Sequence, residues 1–123
     1  MRIALSIWND RISPVFDNSS RLLLIDLENG REIGRTEEPI GQAMIPDRAA
    51  RLKELGINVL LCGAISRPLA YLLVASGVSI IPFLTGEIEE VLDAYLKGKL
   101  TDPHFLMPGC RGGHRRFRGG RDF

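Results

Sequence analysis

Asn58-Val59-Leu60-Leu61-Cys62-Gly63-Ala64-Ile65-Ser66-Arg67-Pro68 is the stretch from which the rest of the chain is best read. An uncharged apolar run breaks at Gly63, and Ser66 with Pro68 then opens a second apolar segment from Leu69. This predicts a buried strand over Val59–Cys62, a tight strand-to-helix turn, and a helix from about Ser66 to Ser76. Such a turn gathers free N–H groups at a helix N-terminus, where the dipole favours negative charge. Gly63, Ser66 and Arg67 are therefore the residues expected to meet a small anion.

Upstream, Arg2 to Trp8 alternates Ile3, Leu5 and Ile7 with Ala4, Ser6 and Trp8, the period of a strand. Asn9 to Ser20 is rich in turn formers and long for a connection, the kind of loop that often carries function. Leu22–Leu27 and Glu32–Glu37 read as strands joined by Asn29-Gly30, the pair that a type I′ hairpin turn requires. The second of them is polar and contains Gly34, as suits a sheet edge. Pro39 to Gln42 reads as a linker. Pro46 then opens a helix that Gly56 stops, with Ile45, Ala49 and Leu52 inward.

Downstream, the helix after Ser66 is apolar on most sides, which predicts that it is largely covered. Gly77 ends it and Val78–Phe83 forms a strand. Thr85-Gly86 is expected to cap a last helix whose stripe is Ile88, Val91, Leu92 and Tyr95, with Gly98 as its stop. The order β-β-β-α-β-α-β-α combines an antiparallel meander with a right-handed parallel crossover. A mixed sheet in the order 3-2-1-4-5, with helices on both faces, satisfies both. In that α/β arrangement a crevice opens at the carboxyl ends of the first and fourth strands. Its expected lining is Asn9–Asp17, Gly63–Arg67 and Leu84–Gly86.

The composition, 45% hydrophobic and 25% charged over 123 residues, fits one globular domain. A net charge of +1 hides an asymmetry: residues 1–108 hold 11 Lys+Arg against 14 Asp+Glu, and the remainder holds five Arg against one Asp. The chain therefore divides into an α/β body over residues 1–100 and a flexible Gly/Arg-rich tail over 101–123. Two cysteines, Cys62 and Cys110, are too few for a disulfide framework. No signal-peptide layout opens the chain, and the longest apolar stretch, Leu69–Leu84, is broken by Ser76-Gly77 and Pro82. These features point to a cytoplasmic protein that does not enter the membrane.

Arg2-Ile3-Ala4, Ser13-Pro14-Val15-Phe16, Cys62 through Leu69, and Gly86-Glu87-Ile88-Glu89-Glu90-Val91-Leu92 occur in an order and spacing that resemble one known family. It is the nitrogenase iron–molybdenum-cofactor biosynthesis family, the NifX/NafY type of cofactor-binding domain, and the resemblance runs from Met1 to about Leu100. It implies a three-layer fold with a ribonuclease-H-like motif. It also implies a carrier, store or assembly accessory for a metal–sulfur or iron–molybdenum cluster or its precursor, with cofactor-assembly proteins as partners. The chain departs from the family where Ser-Pro-His-Phe-Gly is replaced by Ser13-Pro14-Val15-Phe16-Asp17, and where Ile40–Asp47 lacks histidine. Only His104 and His114 remain, so imidazole from the matched region is not a ligand.

On this resemblance Cys62 at the end of the central strand offers a soft thiolate to a cluster metal, although free cysteine is also among the most buried residue types. Ser13, Phe16 and Thr85 join Gly63, Ser66 and Arg67 as cofactor-binding candidates. In the tail, Cys110 and His114 are candidate metal ligands, an incomplete set by themselves. Arg111-Gly112-Gly113 and Arg118-Gly119-Gly120 around Phe117 also resemble a short nucleic-acid-gripping segment. A disordered solubilising tail has the same composition. An enzyme is not expected. Ribonuclease-H-type nucleases need metal-binding carboxylates on the central strands, whereas Asp10 and Asp17 follow the first strand and the fourth has none. A regulatory or interaction module that has kept the domain and lost the cofactor is the alternative of a different class, and Val15 in place of histidine favours it.

Overall fold

β1 (Arg2–Trp8) is the axis of the sheet. The computed structural model describes residues 1–41, 45–100 and 103–107. β2 (Arg11–Ile12) folds straight back on β1, and β3 (Arg21–Glu28) and β4 (Arg31–Pro39) complete the meander. α1 (Ile45–Glu54), β5 (Val59–Leu61), α2 (Arg67–Ala75), β6 (Ser79–Ile81) and α3 (Ile88–Leu96) follow. The path β4-β3-β1-β5-β6 is the order expected for the longer strands, and β2, pairing with β1 off that path, makes the sheet six-stranded. β1 runs antiparallel to β3, with Ile3 opposite Ile25, and parallel to β5, with Ile3 opposite Val59.

The alternation of β1 divides the interior in two. Ile3, Leu5 and Ile7 face the cluster that α3 covers with Ile88, Val91 and Leu92. Ala4 faces the cluster that α1 and α2 cover with Ala49, Leu52, Leu69 and Leu73. Asn29 (φ 54°) and Gly30 (φ 76°) both adopt positive φ, as a type I′ turn demands.

The structure departs from expectation in four places. The loop after β1 contains β2 and a 3-10 turn at Phe16–Asn18. α2 is not covered all round: Pro68, Tyr71, Leu72 and Ala75 form an exposed stripe opposite its buried face. Glu87, not Thr85-Gly86, holds the N-cap position of α3, and the Thr85 N–H instead donates to Phe105 O. The packed body also runs past residue 100. Leu106 is buried in the α3-side core and bridges Leu84, and the Met107 N–H donates to Phe83 O. The side chain of Ile45 and residue Gln42 of the expected linker lie outside the described residues. No helix among the described residues is long and apolar enough to cross a membrane.

Candidate functional site

At Ile7, β1 pairs with Arg21 of β3 on one side and with Ile12 of β2 on the other. β2 therefore occupies, beyond the last residue of β5, the side on which β5 pairs lower down. The predicted crevice between these strand ends is filled by the chain's own return. The segment that follows is stitched down by main-chain bonds. The Ser13 N–H donates to Ser6 O (2.8 Å), the Ala64 N–H to Pro14 O (2.8 Å) and the Phe16 N–H to Ala64 O (2.8 Å). Nearby, the Ile12 N–H donates to Gly86 O (3.0 Å) and the Ile88 N–H to Asp10 O (2.9 Å). The segments expected to line an open hollow are instead bonded to one another.

Gly63 explains how closely they approach. A Cβ on it would lie 2.5 Å from both Ser13 O and Pro14 O, so only glycine allows the two backbones to touch. Phe16 is fully buried in the α1/α2-side core, while Val15 remains exposed. Arg48, 3% exposed, lies with its guanidinium 5.6 Å from the Phe16 ring centroid. It donates from Nη1 to Ser19 O (2.6 Å) and from Nη2 to Gly41 O (3.3 Å). Burial lowers its pKa, partly opposed by the nearby charge of Asp17.

The anion position at the start of α2 is present, and it is taken. Asp17 Oδ1 accepts the Ser66 N–H at 2.9 Å, and Oδ2 accepts the Ser66 hydroxyl proton. Ser66 is the N-cap residue, yet its side chain makes no bond to the helix it begins. The cap is supplied across 49 positions of sequence by Asp17. A carboxylate there suits both the unpaired N–H and the dipole.

Cys62 is free and completely buried. Burial, with the charge of Asp17 adding to it, pushes its thiol well above the ordinary range, so the group is a neutral S–H. Metal ligation needs the thiolate. In this conformation Cys62 therefore acts as a small core residue with a weak donor. Beside it, in the continued register of β1 and β5, stands Ser6 on the same face. Ser6 is 0% exposed and its Oγ has no hydrogen-bond partner among the described residues. A buried hydroxyl left in that state costs about 1–3 kcal/mol.

Of the candidates named from sequence, Ser13, Phe16, Gly63 and Ser66 meet at this end of the sheet. Arg67 is exposed at the first turn of α2, and Thr85 is half-buried on the strand end beyond Gly63. Cys110 and His114 lie outside the described residues. Among the described residues no three His, Cys, Asp or Glu groups converge to hold a metal ion. Ser6 and Arg48 are not among the site residues named from sequence, and Asp17 is named only within the expected Asn9–Asp17 lining, without its bonds to Ser66. A serine inside an apolar central strand was the one available sign, because the partners of Asp17 and Arg48 are remote in sequence.

A mixed sheet with β1 at its axis, helices on both faces and a Gly63 turn leading into an N-capped helix defines a small α/β domain. The chain belongs to the dinitrogenase iron-molybdenum cofactor family, whose model matches residues 1–98. It is 30% identical over 106 residues to an uncharacterised protein of Methanocaldococcus jannaschii, covering 81% of this chain and 89% of that one. Among solved structures it is similar to the protein PH0822, with a TM-score of 0.76 and 22% identity, over 80% of this chain and 93% of that one. It is also similar to the apo form of the orange protein from Desulfovibrio gigas, with a TM-score of 0.69 and 21% identity over 80% and 88% of the two chains. At these identities the structural likeness establishes the fold alone.

Proposed function

We propose that the protein is a non-catalytic carrier or assembly accessory for a metal–sulfur cluster of the iron–molybdenum type or its precursor, acting with cofactor-assembly proteins. Membership of the family supports the ligand class. The observation that carries the reading is where Met107, the last described residue, is held. The Met107 N–H is tied to Phe83 O at 2.9 Å, and the Phe83 N–H to Gly63 O at 2.9 Å. Cys110 is three residues further on, within about 11 Å of chain from the strand ends. Chain length alone therefore lets its thiol reach these strand ends, whereas Cys62 is walled off. Soft sulfur is the donor that iron and copper in such clusters prefer.

Anaerobic reconstitution with iron, sulfide and tetrathiomolybdate tests this. The parent protein should develop visible charge-transfer absorption that Cys110→Ala loses. Absorption no greater than that of the Cys62→Ala/Cys110→Ala control would count against a carrier. A second reading, an interaction module that has dispensed with cofactor, is favoured by the crevice being filled with Ser13–Phe16. A colourless parent protein is its expected outcome in the same experiment.

A further inference from the structure

We infer that the segment Arg115–Arg118, which lies outside the described residues, docks on the body of its own chain in an acidic groove between the start of α3 and strands β3 and β4. The inference goes beyond the carrier reading and does not depend on it. The groove holds about 400 Å³ on the α3 face of the sheet. Ile7, Leu23 and Ile88 give it an apolar lining, and Asp10, Glu37, Glu87 and Glu89 give it negative charge. Among the described residues Arg35 is the one cation in that lining, and its guanidinium is already engaged by Glu32 and Glu89.

The charges of the groove point to its occupant. Glu87 at the N-cap and Glu89 in the first turn suit the dipole of α3 without any ligand. Asp10 and Glu37 come from the loop after β1 and from β4, where no helix dipole accounts for them. Glu37 is paired with Arg21 and Glu89 with Arg35, which leaves Asp10 and Glu87 without an ion pair among the described residues. The complementary charge is in the same chain. Residues 109–123 carry five Arg against one Asp, and Arg115, Arg116 and Arg118 flank Phe117. Guanidinium groups answer carboxylates with charge-assisted hydrogen bonds, and the ring answers the apolar lining.

The fold brings the two within reach. The Met107 N–H donates to Phe83 O at 2.9 Å and the Thr85 N–H to Phe105 O at 2.9 Å, so the last described residues are held beside residues 83–85. Glu87 is four residues beyond Phe83, no more than about 14 Å away. Arg115 is eight residues beyond Met107, a span of up to about 28 Å when extended. A tether that matches its target in this way gives an effective concentration of roughly millimolar order, well above that of a second molecule in dilute solution.

The test is paramagnetic broadening of amide signals in the full-length chain, with a nitroxide on Gly120→Cys in a Cys110→Ala background and Cys62 left buried. Signal loss is expected around Asn9, Asp10, Glu37 and Glu87. It should be relieved in Asp10→Asn/Glu87→Gln, and also in about 1 M sodium chloride, where the screening length falls to about 3 Å. Glu87 makes no side-chain cap bond, so the double variant keeps α3. Losses that are absent, spread evenly over the body or centred on another face overturn the proposal. Groove losses that persist in both the variant and salt do the same. Isotope-labelled protein without the nitroxide, mixed with unlabelled protein that carries it, reports capture of a second copy's segment. Groove losses of equal size in that mixture overturn docking within one chain. No metal or sulfide is present and Cys110 is replaced, so the outcome is separate from that of the reconstitution experiment.

Discussion

Ser6 and Gly63 place opposite demands on stability within one small region. The Ser6 hydroxyl is buried with no partner among the described residues, so its removal relieves a desolvation cost and leaves only a small void. Ser6→Ala is therefore expected to raise stability by about 0.5–1 kcal/mol, read as a higher urea midpoint at an unchanged slope. A lower midpoint would mean that the hydroxyl is satisfied in solution. Gly63 has no such latitude, because a methyl group there meets two carbonyl oxygens at 2.5 Å. Gly63→Ala should cost about 1–3 kcal/mol in the same measurement, by forcing Ser13 and Pro14 off the turn. The turn was legible in the sequence, since a glycine breaking an apolar run announces it. The occupant of the turn was not, because Asp17 reaches Ser66 from 49 positions away and no local pattern records that meeting.

Elements with a strong internal period were the ones readable beforehand. β1, the Asn29-Gly30 hairpin and the stripe of α3 each repeat a spacing that few alternatives satisfy. β2 has two residues and no period to read, yet it fills the crevice. The residues after α3 escaped for a related reason: Pro103–Phe105 is a single 3-10 turn. The role of this short piece is clear from packing. One helix covers the face that two helices cover on the opposite side, and Leu106 completes it by bridging Leu84 against the α3-side core. Leu106→Ala should therefore destabilise the whole domain by about 2–4 kcal/mol, in the range for an interior leucine rather than a tail residue. A loss below 0.5 kcal/mol in urea unfolding, as for an ordinary surface site, would show that the segment is not part of the core.

At the scale of the whole molecule, ion pairs bind the sheet's strands to each other and to α3. Arg2 Nε donates to Asp26 Oδ1 at 2.8 Å, joining β1 to β3, and Arg2 Nη1 also reaches Leu55 O at 2.8 Å beyond α1. Arg35 holds Glu32 within β4 and extends to Glu89 of α3. The hydrogen bond from Arg2 holds the Asp26 carboxyl below its ordinary value, and the bond from Arg35 does the same for Glu32. A depressed carboxylate pKa contributes stability that is fully present above the unfolded-state value, about 4 for these groups, and is lost as pH falls through the lower folded-state value. Stability should therefore be flat near neutrality and decline below pH of about 4. These pairs are open to solvent, so salt should shrink the decline. Urea midpoints across the acid range, with and without added sodium chloride, measure both effects. Asp26→Asn/Glu32→Gln should flatten the acid limb and remove its salt dependence; an unchanged limb would place the acid sensitivity in other carboxylates.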